Sequence, residues 1–218
     1  MNGIFPSFFL VLCAVVSAVW VGWAAWGSNW SALFSNRSAQ HFFFGSSLVM
    51  AAFWFMQAGV LPGLSFHILA LTAVTLMMGW RLTMVAATLT QLGLTLVGQV
   101  EWSMLGYQLL FGCLMPIAFS FWFYCMVYKR LTHNPFIYIL VAGFLNAGFT
   151  HAFSDLINSA SYWLAGSYSL GQIWYDYLRY LPLMMFPEGV VNGMFISGMV
   201  AFHSRWLSTF DEDSYFSK

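Results

Sequence analysis

Charge is what this chain has least of: only 6% of its 218 residues are charged, seven basic against seven acidic. Soluble domains carry roughly 25%, so a water-soluble globular domain is excluded, and the balanced charge leaves no basic surface for nucleic acid. Cysteine is also scarce. Cys13, Cys113 and Cys125 lie in apolar runs without C-x-x-C spacing, which excludes a disulfide framework or zinc ribbon and leaves them as small buried hydrophobes. No G-x-x-x-x-G-K-[ST] phosphate loop occurs, and neither G-x-S-x-G nor H-E-x-x-H is found, so no enzyme is expected.

What remains is apolar. Hydrophobic residues make up 61% of the chain and the mean hydropathy is +0.75, which predicts an all-α polytopic membrane bundle. Spans of about 20 residues fit near 4–26, 42–61, 65–80, 82–98, 105–128, 136–158 and 181–204, about seven in one integral membrane domain over 1–218. The first lacks a basic leader and an A-x-A site, so it reads as a retained span with the mature chain starting at Met1 rather than a cleaved signal. The third and fourth nearly fuse at Trp80-Arg81, as in a tight helical hairpin. Pro62-Gly63 ends the second span and Asn134-Pro135 opens the sixth. With the N-terminus outside and the C-terminus inside, the inner segments hold Arg37, Arg81, Lys129, Arg130, Arg205 and Lys218, and the outer side only Arg179. That is the positive-inside pattern.

Against this background a few polar residues stand out. A carboxylate at membrane depth costs roughly 2.5 to 3.5 kcal/mol even on lenient scales unless it faces a partner or a cavity, yet Asp155 and Glu188 both lie in apolar stretches. His151 and Asp155 are four apart and share a helix face. The carboxylate can orient one imidazole nitrogen and leave the other for a metal, or the pair can simply neutralise itself within the bundle. Glu188 follows Pro187 in a kinked, glycine-bearing segment, either as an inward metal ligand or as a cap on a freed backbone group or an adjacent helix end. Asn146 and Asn192 extend the polar network behind these groups. His67, just after the Pro62-Gly63 turn, falls with His151, Asp155 and Glu188 at the outer level, and Trp174-Tyr175-Asp176-Tyr177-Leu178-Arg179 reads as an amphipathic segment over them. His41, His133 and His203 fall at cytoplasmic span ends, where solvation explains them. The 13 methionines form no M-x-x-M ladder and read as packing.

The order of these features resembles the CbiM/NikM proteins, the substrate-specificity membrane component of energy-coupling-factor cobalt and nickel transporters. Leu64-Ser65-Phe66-His67 sits where that family has a Cys-Ser-His-Pro segment with a ligand histidine. Leu89-Thr90-Gln91-Leu92 through Leu105-Gly106 resembles its glutamine-bearing span, Ser154-Asp155-Leu156 its Gly-Asp-Leu, and Phe186-Pro187-Glu188-Gly189 the proline and Glu-Gly of its last span. The resemblance implies a permease component for a divalent transition metal, cobalt or nickel by family, with zinc or copper also suited to imidazole. It further implies a coupling membrane subunit, cytoplasmic ATPases and a multi-pass location in the bacterial inner membrane.

Family members bind the metal through an initial Met-His and the histidine corresponding to His67. This chain begins Met1-Asn2-Gly3-Ile4, so that nitrogen set does not form as such. The ligand set expected here is His67, His151 and Glu188, supported by Asp155, Asn146 and Asn192. The alternative is a membrane assembly or chaperone factor for a metalloenzyme, without transport.

Overall fold

The computed structural model describes residues 5–216. It opens with α1 (Ser7–Trp26), entered through Pro6 and ended at Gly27. Two short-range caps set the next elements: Asn29 accepts from the Ala32 amide to start α2 (Trp30–Ser35), and Asn36 accepts from Ser38 and Ala39 to start α3 (Arg37–Phe55). Such side chains replace missing helical acceptors.

Where the sequence pattern places the end of one span and the start of another, the structure instead has a β-hairpin. Strands β1 (Ala58–Leu61) and β2 (Leu64–Phe66) pair antiparallel, Ala58 opposite Phe66 and Gly59 opposite Ser65. The reason is local: Pro62 has no amide to donate and Gly63 turns the chain at φ 88°, so the dipeptide makes a hairpin turn and not only a helix stop. The spans expected at 42–61 and 65–80 therefore give up residues 58–66.

Helix α4 (Leu71–Leu96) is broken at Gly79, whose φ of 77° and ψ of 160° lie outside the helical range. A straight helix would separate Leu69 from Leu94 by about 38 Å at 1.5 Å per residue. Both nevertheless line one cavity and share one apolar cluster, so α4 doubles back at Gly79. The break frees the Leu76 and Met77 carbonyls, which accept from Thr209 Oγ1 at 2.6 Å and Ser208 N at 3.0 Å in the C-terminal segment. Arg81, just past the turn, donates to the Gly27 carbonyl at 2.5 Å.

Two long helical stretches follow, α5 (Trp102–Arg130) and α6 (Pro135–Leu164). Asn134 caps the second by accepting from Phe136 N. Each contains a widened π-type stretch, Gln108–Leu114 in α5 and Tyr138–Leu145 in α6. Then come α7 (Leu170–Asp176), a 3₁₀ turn at Leu178–Tyr180, α8 (Leu181–Phe202) with Pro187 inside it, and α9 (Glu212–Phe216). Gly189 and Gly193 bring α8 against Phe144 of α6, the close approach small residues permit between membrane helices.

Among the described residues five stretches are long and apolar enough to cross a membrane: α1, α4, α5, α6 and Leu170–Phe202. The outer surface agrees, since Phe8, Val15, Val19, Leu48 and Phe202 are exposed apolar side chains of the kind a bilayer solvates. The chain is a multi-pass, all-α membrane protein with one small hairpin. That hairpin, the doubled-back α4, α5, α6 and the segment before α8 surround the site.

Candidate functional site

A cavity of about 700 Å³ lies among these elements. The hairpin supplies its rim, the turn after β2 places His67 in its wall, and the returning arm of α4 contributes Gln91. From α5 come Gln108, Gly112 and Cys113 of the widened stretch; α6 adds His151, Ser154, Asp155 and Asn158. π-type turns are frequent at functional sites because they re-aim side chains. No lysine or arginine lines the cavity among the described residues; Glu101 and Asp155 do.

The His67 turn is held from behind by α8. Glu188 Oε2 accepts from the Leu69 amide at 2.7 Å and Oε1 from the Ala70 amide at 2.9 Å. Asn192, one turn on, accepts from the Ala73 amide at 2.8 Å and donates to both the Glu188 carbonyl and Oε1 at 2.8 Å. The Ala70 and Ala73 amides at the start of α4, which have no partners within the helix, and the Leu69 amide just before it are thereby satisfied by side chains 118 and 119 residues away. An anion there also complements the helix dipole. Ala70 sits at φ 56°, a left-handed conformation costing a non-glycine residue about 1–2 kcal/mol, so the turn is held in shape by these bonds.

His151 stands between two carboxylates. Its Nδ1 is 3.5 Å from Glu188 Oε2 and its Nε2 is 3.3 Å from Asp155 Oδ2, ion-pair distances without hydrogen-bond geometry. Asp155 Oδ1 accepts from the Tyr177 hydroxyl at 2.8 Å, and the Tyr177 ring stacks on Phe66 of β2 with centroids 4.3 Å apart. A continuous chain thus runs Tyr177, Asp155, His151, Glu188, Leu69-Ala70, and ends beside His67.

His67 differs from His151. Its Nδ1 is buried and makes no hydrogen bond of ordinary geometry to any described residue; the Ser65 backbone is its nearest described polar neighbour. Trp54 meets its ring edge-on at 6.4 Å and fixes the same turn by donating from Nε1 to the Leu69 carbonyl at 3.1 Å. A buried polar nitrogen without a partner is costly, and a metal ion is one partner that removes the cost.

The residues anticipated from sequence separate into three groups. His67, His151 and Asp155 line the cavity; Glu188 and Asn192 stand behind it; Asn146 lies apart, donating to Ser120 O at 3.0 Å and accepting from Thr150 at 3.2 Å in a brace that reaches Thr72. Among the described residues no group of three or more His, Cys, Asp or Glu is arranged to hold a metal ion. Met1 and Asn2 lie outside the described residues. His133 and His203 are elsewhere: His133 reaches the Tyr128 carbonyl and His203 stacks on Trp206. Of the segment 174–179, Tyr177 lines the cavity, while Trp174 and Tyr175 are exposed.

Gln108 and Asn158 also line the cavity and were not singled out from sequence. Asn158 accepts from the Tyr107 hydroxyl at 2.9 Å. Their signal was present: polar amides inside apolar runs need partners or a cavity.

The profile of the family described as "Cobalt uptake substrate-specific transmembrane region" matches residues 1–206. No curated protein matches the chain.

Proposed function

This chain belongs to the cobalt-uptake substrate-specific transmembrane family, a family of transporter components and not of enzymes, and from that premise we propose that it captures a divalent transition-metal ion in the His67 cavity. Seven passes, α1, α3, residues 65–80 with the short first arm of α4, its longer second arm, α5, α6 and α8, carry the N-terminus outside and the C-terminus inside, so the cavity faces outward. Cobalt or nickel is the cargo by family, and imidazole suits both. The chain has no nucleotide-binding loop, so a coupling membrane subunit and cytoplasmic ATPases supply the energy, at the bacterial inner membrane.

The observation that carries this reading is the contrast between two histidines on one cavity. Neither histidine has a side-chain hydrogen bond of ordinary geometry, but both nitrogens of His151 lie 3.3 and 3.5 Å from carboxylates, whereas the buried Nδ1 of His67 has only the Ser65 backbone beside it. His67 therefore supplies the metal contact. Glu188, His151 and Asp155 hold the His67 turn; the carboxylate oxygens of Glu188 are already engaged by backbone amides. Asn192 completes that support, and Asn146 braces α6 against α5 and α4.

Isothermal titration of the purified protein with cobalt(II) and nickel(II) tests it. His67→Ala abolishes the binding seen with wild type, while His203→Ala keeps it. Equal binding by wild type and His67→Ala removes His67 from the site.

A further inference from the structure

We infer that the end of the molecule away from the cavity holds a second site, for one anionic phospholipid, with Arg81 meeting its phosphate and an apolar furrow along α1 taking an acyl chain. This goes beyond metal uptake and depends on the proposed topology only for the leaflet, which is the inner one.

A cation without an acid is the first observation. Helix α1 begins beside the cavity, where Phe5 packs on Tyr162, and ends at Gly27, about 30 Å away at 1.5 Å per residue. There the Arg81 guanidinium lies over two indoles, its Cζ 5.9 Å from the Trp23 ring and 5.1 Å from the Trp80 ring. Its one side-chain hydrogen bond to a described residue goes to the Gly27 carbonyl, and no described carboxylate is within ion-pair distance. An arginine carries five donors in a fork that matches phosphate, and most of this fork is unused.

The furrow is the second. Val15, Val16, Val19, Trp20 and Trp23 line a groove of about 420 Å³. Positions i, i+1, i+4, i+5 and i+8 share one helix face, and i+12 on that face is Gly27, the residue under the guanidinium. The furrow therefore runs straight to Arg81. From Val15 to Trp23 it covers about 12 Å, close to the depth of one leaflet in a hydrocarbon core of roughly 30 Å. None of its five residues is charged, and Val15, Val19 and Trp23 are more than half exposed.

Cation and furrow together select the occupant. A soluble anion would use Arg81 and leave the furrow empty. A partner helix, about 10 Å across, packs closely over small residues, whereas two tryptophans border this furrow; a single acyl chain needs no such flat face. Basic pockets at the cytoplasmic ends of membrane helices hold anionic head groups. In a zwitterionic lipid the head group's own amine competes for the phosphate, so net negative charge is favoured.

Native mass spectrometry of the full-length protein in detergent, with phosphatidylglycerol and phosphatidylcholine supplied in equal amounts, tests it. Wild type retains one phosphatidylglycerol in preference to phosphatidylcholine by about tenfold, the scale of one charge-assisted hydrogen bond, and excess inorganic phosphate does not displace it. Arg81→Gln erases the preference. Val19→Trp fills the furrow from an exposed position and lowers phosphatidylglycerol retention by a similar factor with Arg81 in place; lying on the lipid-facing surface, it keeps the test decisive where Arg81→Gln does not purify. Equal retention of the two lipids by wild type overturns the site, as does a preference that both variants keep. Displacement by inorganic phosphate, or retention untouched by Val19→Trp, reduces the site to a bare anion contact and overturns the lipid. The readout uses no metal, so its failure leaves the metal-uptake reading standing, and the reverse holds.

Discussion

Single residues carry the site, and their roles differ in ways a substitution series separates. Glu188→Ala removes the acceptor for two buried backbone amides and one side-chain amide, so it destabilises the protein by about 3 kcal/mol, read as a lowered melting temperature. Glu188→Gln keeps one good acceptor and loses less. If the carboxylate instead met the metal directly, Glu188→Gln would abolish cobalt binding at unchanged stability. Tyr177→Phe keeps the stack on Phe66 and deletes one bond to Asp155; the expected cost is about 1 kcal/mol in denaturant unfolding. Sequence alone marked Asp155 and Glu188 as anomalies because the bilayer penalises charge wherever the fold puts it. It left open whether Glu188 binds metal or caps a helix. The amides it meets come from Leu69 and Ala70, and a pairing so distant in sequence has no local signature.

Elements show where local chemistry was legible and where it was not. Asn134-Pro135 opens a helix as its capping chemistry requires. Pro62-Gly63 reads equally well as a helix stop or a hairpin turn, and the pairing of Ala58 with Phe66 decides for the turn. The near-fusion of two spans at Trp80-Arg81 has its physical cause one residue earlier, in Gly79. Since its φ of 77° and ψ of 160° lie in a region essentially confined to glycine, Gly79→Ala destabilises the fold by about 1–3 kcal/mol, measurable as a shift in thermal unfolding. The freed carbonyls there are capped by Ser208 and Thr209, so the C-terminal segment is part of the bundle. At its surface Ser204 and Arg205 donate to Glu212 and hold its carboxyl below the usual carboxylate range. A depressed carboxyl adds stability above its unfolded pKa and loses it as pH falls through the folded value. Docking of this segment is therefore constant at neutral pH and loosens only in acid, a change the neighbouring Trp206 reports by fluorescence. Glu212→Gln shifts or removes that acid transition.

At the scale of the whole molecule, composition alone was decisive: 61% hydrophobic and 6% charged residues leave only a membrane bundle. The cavity was beyond reach of composition, because it exists only where the hairpin and the turn after it, the returning arm of α4, α5 and α6 come together. Gln91 and Gln108 line one cavity through that assembly and through a widened turn no sequence pattern announces. The proposed topology makes its own prediction: cysteines introduced at Gln99 and Ser167 react with a membrane-impermeant maleimide from outside intact cells, and one at Thr132 does not. Labelling of Thr132 from outside would reverse the orientation and turn the cavity inward.

The central claim is that His67, held by the Glu188 network, meets the metal. X-ray absorption fine structure of the cobalt-loaded protein tests it most directly. The account predicts an imidazole scattering signature in wild type that Tyr177→Phe retains and His67→Ala loses. A cobalt spectrum of His67→Ala identical to wild type at full occupancy would contradict it.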